Sequence, residues 1–104
     1  MSLSIWLVTK AETEVAEKNI THNLSAMWLE AGIYKELYES EGKKAEEILP
    51  LLESGLALML EEPERFKKFD SPNGWGTYKN AVPWLSELIV EFKKYPDGII
   101  EVSR

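Results

Sequence analysis

The chain has 104 residues, of which 44% are hydrophobic and 11% aromatic, a composition that is typical of one globular domain and too apolar for a disordered chain. Its 18 acidic and 12 basic residues give a formal net charge of −6 without any long basic run, which disfavours direct contact with nucleic acid. The absence of cysteine excludes disulfides, thiolate nucleophiles and cysteine-ligated metal sites.

Two short strands are predicted near the ends of the chain. Residues 5–9 form an apolar run that is too short for a helix and is followed by the polar residues 10–14. Residues 95–98 form a Tyr-Pro-Asp-Gly turn signal, and residues 99–102 after it are again mostly apolar and β-branched. We expect these terminal strands to pair in a small sheet that needs helices packed on it.

Three helices are predicted in the first part of the region between the strands. Four apolar side chains share one face of a helix over residues 24–31, which Gly32 ends. Residues 33–38 predict a short second helix. The longest candidate spans residues 43–61, and Pro50 inside it predicts either a kink or a later helix start.

A glycine-rich loop separates the remaining helical segments. Pro63 opens a short helical turn, and residues 70–76 form a loop by every local signal. A last helix is predicted over residues 77–94, with Pro83 in its first turns, where a missing N–H donor costs least. The sequence therefore predicts a single α+β domain, residues 1–104, mostly helical, with four to five helices packed on a sheet of the N- and C-terminal strands.

No segment of the sequence predicts a membrane span or a secretory leader. The apolar residues 5–8 are far too few to cross a bilayer, and no basic region precedes a long apolar run at the N-terminus. We therefore expect a cytoplasmic protein that contacts no membrane.

The candidate site is the segment 19–23, which places hydrogen-bonding side chains and the histidine of the chain within five residues. Asn19, Thr21, His22 and Asn23 are candidates for contact with a ligand or partner. Their oxygens also suit the N-cap of the following helix, where they accept free backbone N–H groups, and the two uses are compatible. If the segment is extended, alternation directs His22 away from Asn19, Thr21 and Asn23 and toward the interior. If it is helical, Asn19, His22 and Asn23 converge instead.

Two aromatic residues, Trp75 and Tyr78, lie beside the glycines of the predicted loop. They are candidates for an aromatic surface that contacts a ligand or a partner. The simpler interpretation, which the sequence favours for Trp75, is that its ring folds back to close the core. Trp6, Trp28 and Trp84 are predicted to be core residues because each belongs to an apolar run or stripe.

Catalysis would depend on His22, because histidine is the side chain that titrates near neutral pH. Thr21 and Ser25 are candidate nucleophiles through closeness in sequence alone. The sequence has no phosphate-binding glycine motif and no metal-ligand spacing such as His-Glu-x-x-His, so we expect no metal and no cofactor. Catalytic residues stay unassigned, and a non-catalytic role is favoured.

Several short motifs resemble those of a small uncharacterised protein family found in bacteria and their phages. They are Asn-Ile-Thr-His-Asn at residues 19–23, the Gly32-Ile33 step, the helix around Pro50 and the Tyr-Pro-Asp-Gly ending at residues 95–98. The resemblance covers most of the chain and implies a bacterial or phage setting without an activity. In that family the histidine position is often tyrosine, which implies no obligatory acid–base role for His22.

We therefore expect a non-catalytic binding or accessory protein, phage- or prophage-associated, that uses residues 19–23 and the Trp75 loop to hold a protein partner or a small polar ligand. The alternative is a small hydrolase or transferase with His22 as its general base. A third hypothesis is an acidic inhibitor of a nucleic-acid-binding protein, whose binding weakens steeply with salt. A homodimer is also compatible with the sequence, because an apolar helix face or an unpaired edge strand could join two copies as readily as it could complete the core of one.

Overall fold

The chain begins with a β-hairpin, continues through five α-helices and ends in a strand that returns to the hairpin, in a computed structural model that describes residues 2–104. The elements are, in chain order, β1 (Ser2–Val8), β2 (Glu14–Thr21), a 3₁₀ turn (His22–Leu24), α1 (Ser25–Glu30), α2 (Tyr34–Tyr38), α3 (Ala45–Glu61), α4 (Pro63–Lys67), α5 (Tyr78–Lys93) and β3 (Ile99–Ser103). The predicted α+β class is confirmed, as is the pairing of the N-terminal strand with the C-terminal one.

The sheet is antiparallel, in the order β2–β1–β3. The sequence pattern does not predict β2, because this edge strand has exposed or half-buried side chains along its whole length and no clear apolar alternation. Its register shifts between the pairs Ile5–Lys18 and Leu7–Val15, which leaves two residues of β2 opposite Trp6. This β-bulge includes Ala16 at a φ of 56°.

The core lies on one face of the sheet. Leu3, Ile5 and Leu7 alternate along β1 and are fully buried, in one cluster with the inward faces of α3 and α5. Trp28 and Trp84 are core residues as predicted, with ring centroids 5.7 Å apart. The prediction for Trp6 is wrong: the residue lies between the buried Ile5 and Leu7, so its side chain is on the other face of the sheet, where it is half-buried.

The helices begin and end close to the predicted positions. The helix α3 begins at Ala45, the first residue of its apolar pattern, and continues through Pro50. The alternative of a helix start later than this pattern is therefore wrong, and Pro50 lies inside the helix. Gly55 of α3 is where another segment approaches: a Cβ at this position would lie 2.5 Å from Cγ2 of Ile33. Among residues 2–104, no helix is long and apolar enough to span a membrane.

Candidate functional site

A cleft of about 760 Å³ lies between the end of β2 and the loop that precedes α5. One wall is formed by Ser2, Asn19, Ile20, Thr21 and Asn23. The other wall comes from the loop and the start of α5, with Asn73, Gly74, Trp75, Gly76 and Asn80. Four of the six candidate residues thus line a single cleft, namely Asn19, Thr21, Asn23 and Trp75.

The first wall is built by the pairing of β2 with β1 and by the turn that follows. Thr21 is the N-cap of the 3₁₀ turn, and its Oγ1 accepts a hydrogen bond of 3.2 Å from the backbone N–H of Asn23. Nδ2 of Asn19 donates to the hydroxyls of Ser2 and Ser4 on β1, at 3.0 and 2.8 Å. Capping and lining of the cleft therefore coexist in this segment.

The second wall is a loop whose backbone is held at Trp75. The N–H of Trp75 donates to Oδ1 of Asn73 at 2.9 Å, and its carbonyl accepts from Nδ2 of Asn23 at 2.8 Å. A further bond of 3.0 Å runs from the N–H of Ser71 to the carbonyl of Gly76 and closes the loop. The backbone N–H and carbonyl of Trp75 are thus both hydrogen-bonded, and the carbonyl is held by Asn23, 52 positions away in the chain.

The side chain of Trp75 is 70% exposed. The interpretation that its ring folds back to close the core is therefore wrong. Two features set the path of the loop. The backbone N–H and carbonyl of Trp75 are hydrogen-bonded, and Gly74 and Gly76 have positive φ angles of 78° and 98°. That path carries the ring to the solvent side of the cleft, while Trp28 and Trp84 fill the interior.

Glycine at position 76 is required by both conformation and space. Its φ of 98° is disfavoured for residues with a side chain. A Cβ at this position would lie 2.9 Å from Cβ of Asn23 and 3.2 Å from Cγ2 of Thr21. The loop is therefore seated directly on the end of β2, and this contact brings the two walls of the cleft together.

The remaining polar atoms of the cleft are uncharged. None of the described residues that line it carries a formal charge, although the whole chain has a net charge of −6. Oγ1 of Thr77 donates to Oδ1 of Asn80 at 2.6 Å, which leaves the Asn80 amide N–H groups for other partners. The cleft thus offers amides, hydroxyls and one indole ring.

His22 lies outside the lining of the cleft. Its Nδ1 is 3.0 Å from the hydroxyl of Tyr38, and the two rings are 5.5 Å apart. The hydroxyl of Ser25 donates to the backbone carbonyl of His22 at 2.6 Å and is 3.4 Å from the Tyr38 hydroxyl. Burial raises the pKa of Tyr38, and the hydrogen bond between its hydroxyl and that of Ser25 opposes this rise. This cluster ties α1 to α2 and directs the Ser25 hydroxyl to a carbonyl, away from the imidazole.

Tyr78 also lies outside the lining of the cleft and has structural contacts. Its hydroxyl donates to the backbone carbonyl of Met59 at 2.8 Å, and its N–H donates to Oδ1 of Asp70 at 2.7 Å. The first bond joins the start of α5 to the end of α3, and the second joins it to the segment after α4. Within residues 2–104, no cluster of three or more histidine, aspartate or glutamate side chains is placed to hold a metal ion.

Ser2, Asn73 and Asn80 also line this cleft, and none of them is among the residues predicted from the sequence. Asn73 precedes a glycine in a loop, and such a position is fully explained by turn formation. Asn80 lies in the first turn of a helix, where asparagine is also common. These residues could be assigned to the cleft only if the packing of the loop on β2 were known, and local sequence patterns do not predict that packing.

Comparisons of the chain with protein-family models, with curated proteins and with solved structures give no match.

Proposed function

We propose that this is a non-catalytic binding protein that holds a small polar ligand, or a polar segment of a protein partner, in the cleft between β2 and the Trp75 loop. One observation carries the proposal: Trp75 is 70% exposed, while its backbone carbonyl and N–H are hydrogen-bonded to Asn23 and Asn73. An exposed indole adds little to folding stability, whereas a backbone that is already ordered lowers the entropic cost of binding.

Two other functions have less support. Catalysis with His22 as general base would need a nucleophile within its reach, and the Ser25 hydroxyl donates to a backbone carbonyl instead. An acidic inhibitor would be expected to place carboxylates at its binding surface, whereas the described lining of the cleft is uncharged. The bacterial or phage setting and the cytoplasmic location stay part of the proposal and rest on the sequence alone.

The proposal is tested by a screen of small polar molecules against paired variants. Saturation-transfer NMR would compare the wild-type protein with Trp75→Ala and with Leu29→Ala. Leu29 is a matched control because it is 62% exposed on α1 and does not line the cleft. We expect ligands whose signals are lost with Trp75→Ala and are retained with Leu29→Ala.

Equal binding by both variants would contradict the proposal, since the ligands would then bind elsewhere. A set of ligands lost instead with His22→Phe would favour the region of His22 and Tyr38. Each variant would first be checked by thermal denaturation. Because Trp75 is mostly exposed, Trp75→Ala should change the free energy of unfolding by less than about 0.5 kcal/mol.

A further inference from the structure

The backbone N–H and carbonyl of Trp75 fix which amide atoms Asn73 and Asn23 offer to a ligand. The Trp75 carbonyl can only accept a hydrogen bond, so Asn23 must direct its Nδ2 to the loop. The Trp75 N–H can only donate, so Asn73 must direct its Oδ1 to the loop. Asn23 therefore keeps its acceptor Oδ1 and the second N–H of its Nδ2 for a ligand. Asn73, whose Oδ1 also accepts from the Ser71 hydroxyl, keeps the N–H donors of its Nδ2.

The amide groups that stay free favour one class of ligand group. Bidentate recognition of a nucleobase uses the oxygen and the nitrogen of one amide together. Both lone pairs of Asn73 Oδ1 are occupied by Ser71 and Trp75, and the bond to the Trp75 carbonyl fixes the direction of the Asn23 amide. A hydroxyl group donates one hydrogen bond and accepts others, so it matches a free N–H donor as well as a free carbonyl acceptor. The arrangement therefore suits a ligand with several hydroxyl groups.

The charge of the cleft and its aromatic ring narrow the class further. A phosphate or carboxylate ligand would be expected to meet arginine or lysine, and the described residues that line the cleft include neither. The ring of Trp75 offers a flat apolar face at the edge of this polar surface. A pyranose ring has the complementary form, with C–H groups on its face and hydroxyls around its edge.

We propose that the ligand of this cleft is a neutral saccharide, an inference that rests on the proposed binding function. The C–H face of one sugar ring packs on the indole of Trp75. Hydroxyls at its edge donate to Oδ1 of Asn23 and accept from Nδ2 of Asn73. The same chemistry is shared by a free oligosaccharide and by the end of a longer glycan chain.

The test is a titration of the ¹⁵N-labelled full chain with cellobiose, maltose and N,N′-diacetylchitobiose, followed by NMR. Each sugar would be raised to about 10 mM, which nearly saturates a site with a dissociation constant of about 1 mM. We expect saturable shifts of the Trp75 indole N–H and the Asn73 side-chain amide with at least one sugar. Trp75→Ala should weaken binding at least about tenfold, and Leu29→Ala should leave it unchanged.

A second variant separates hydroxyl groups from groups that only accept. Asn73→Asp keeps an oxygen for the Trp75 N–H and the Ser71 hydroxyl, so the loop retains its bonds, but it replaces the donor Nδ2 by an acceptor. A sugar hydroxyl at this point can turn and donate, so affinity should change by less than about threefold. A loss of about tenfold or more would contradict a hydroxyl at this position and overturn the inference.

Adenosine and glucose 6-phosphate complete the ligand set and separate this inference from the proposed function. Shifts at Trp75 and Asn73 with adenosine or the phosphate and with none of the sugars would overturn the saccharide inference and leave the binding function standing. No binding by the sugars or by insoluble chitin, together with no cleft ligand in the wider screen, would overturn both. Sedimentation with insoluble chitin distinguishes the sources: binding to diacetylchitobiose supports a free saccharide, and binding to chitin alone that is lost with Trp75→Ala supports a glycan chain.

Discussion

The seating of the Trp75 loop on β2 is tested most sharply by adding one methyl group at Gly76. Gly76→Ala introduces two separate costs, because the position has a φ of 98° and a Cβ there would lie 2.9 Å from Cβ of Asn23. Gly74→Ala is a matched control within the same loop. Its φ is 78°, and a Cβ at that position meets no heavy atom within 4 Å.

The expected magnitudes follow from these two geometries. A left-handed backbone conformation costs a residue with a side chain about 1–2 kcal/mol, so Gly74→Ala should lower the free energy of unfolding by about that amount. Gly76→Ala has the same conformational cost, and the steric overlap should lower its free energy of unfolding by a further amount of about 1–3 kcal/mol, the usual range for overpacking. The difference between the two variants therefore measures the contact of the loop with Thr21 and Asn23.

Urea denaturation and amide hydrogen exchange provide the two readouts. We expect Gly76→Ala to be less stable than Gly74→Ala by at least about 1 kcal/mol, because only the former meets the end of β2. The Ser71 N–H, which donates to the Gly76 carbonyl, should exchange faster in Gly76→Ala than in Gly74→Ala. Equal stability and equal exchange in the two variants would refute the seating of the loop.

Three further predictions concern the scaffold. Gly55→Ala should lower the free energy of unfolding by about 1–3 kcal/mol, since its Cβ would lie 2.5 Å from Cγ2 of Ile33; an increase, as helix propensity alone predicts, would contradict the close approach. Ala16→Gly should raise the free energy of unfolding by about 0.5–1 kcal/mol in thermal denaturation, because it relieves a φ of 56° in the β-bulge, and a loss would count against that conformation. The buried Tyr38 hydroxyl has a raised pKa, so its contribution is fully present below about pH 10 and is lost as pH rises through the folded-state value. The wild-type protein should therefore lose more stability than Tyr38→Phe between about pH 9 and pH 11, and parallel losses would contradict this assignment.

The helices could be predicted from the sequence because their signals are local. Leu24, Met27 and Trp28 recur at helical spacing, and all three are buried in the structure. The turn before residue 99 is likewise contained in four adjacent residues. Such patterns predict where a helix or turn lies because the residues that favour it are within the same short segment that forms it.

The second strand could not be predicted because its pattern is weak. Residues 14–21 include charged side chains at positions 14, 17 and 18, and the bulge at Ala16 interrupts the alternation that would mark a strand. This strand forms through its backbone pairing with β1, which is a long-range interaction. Its position as an edge strand explains why it forms without a fully buried side chain.

The sequence indicates which residues could form the cleft, but it does not indicate that they lie next to each other. The segment 19–23 and Trp75 could be selected from their residue types. Their juxtaposition depends on the bond from Asn23 to the Trp75 carbonyl and on the close contact at Gly76. Both are contacts between distant parts of the chain, so the direction of the Trp75 ring could not be derived from the loop alone.

The binding proposal is tested most directly by protein-observed NMR, with the ligands from the screen of polar molecules mapped onto the backbone and side-chain amides. We predict that the shifts concentrate on Asn23, Asn73 and the indole of Trp75, and that they disappear in Trp75→Ala. Shifts that concentrate at His22 and Tyr38, or an absence of any saturable shift in the cleft, would contradict the account.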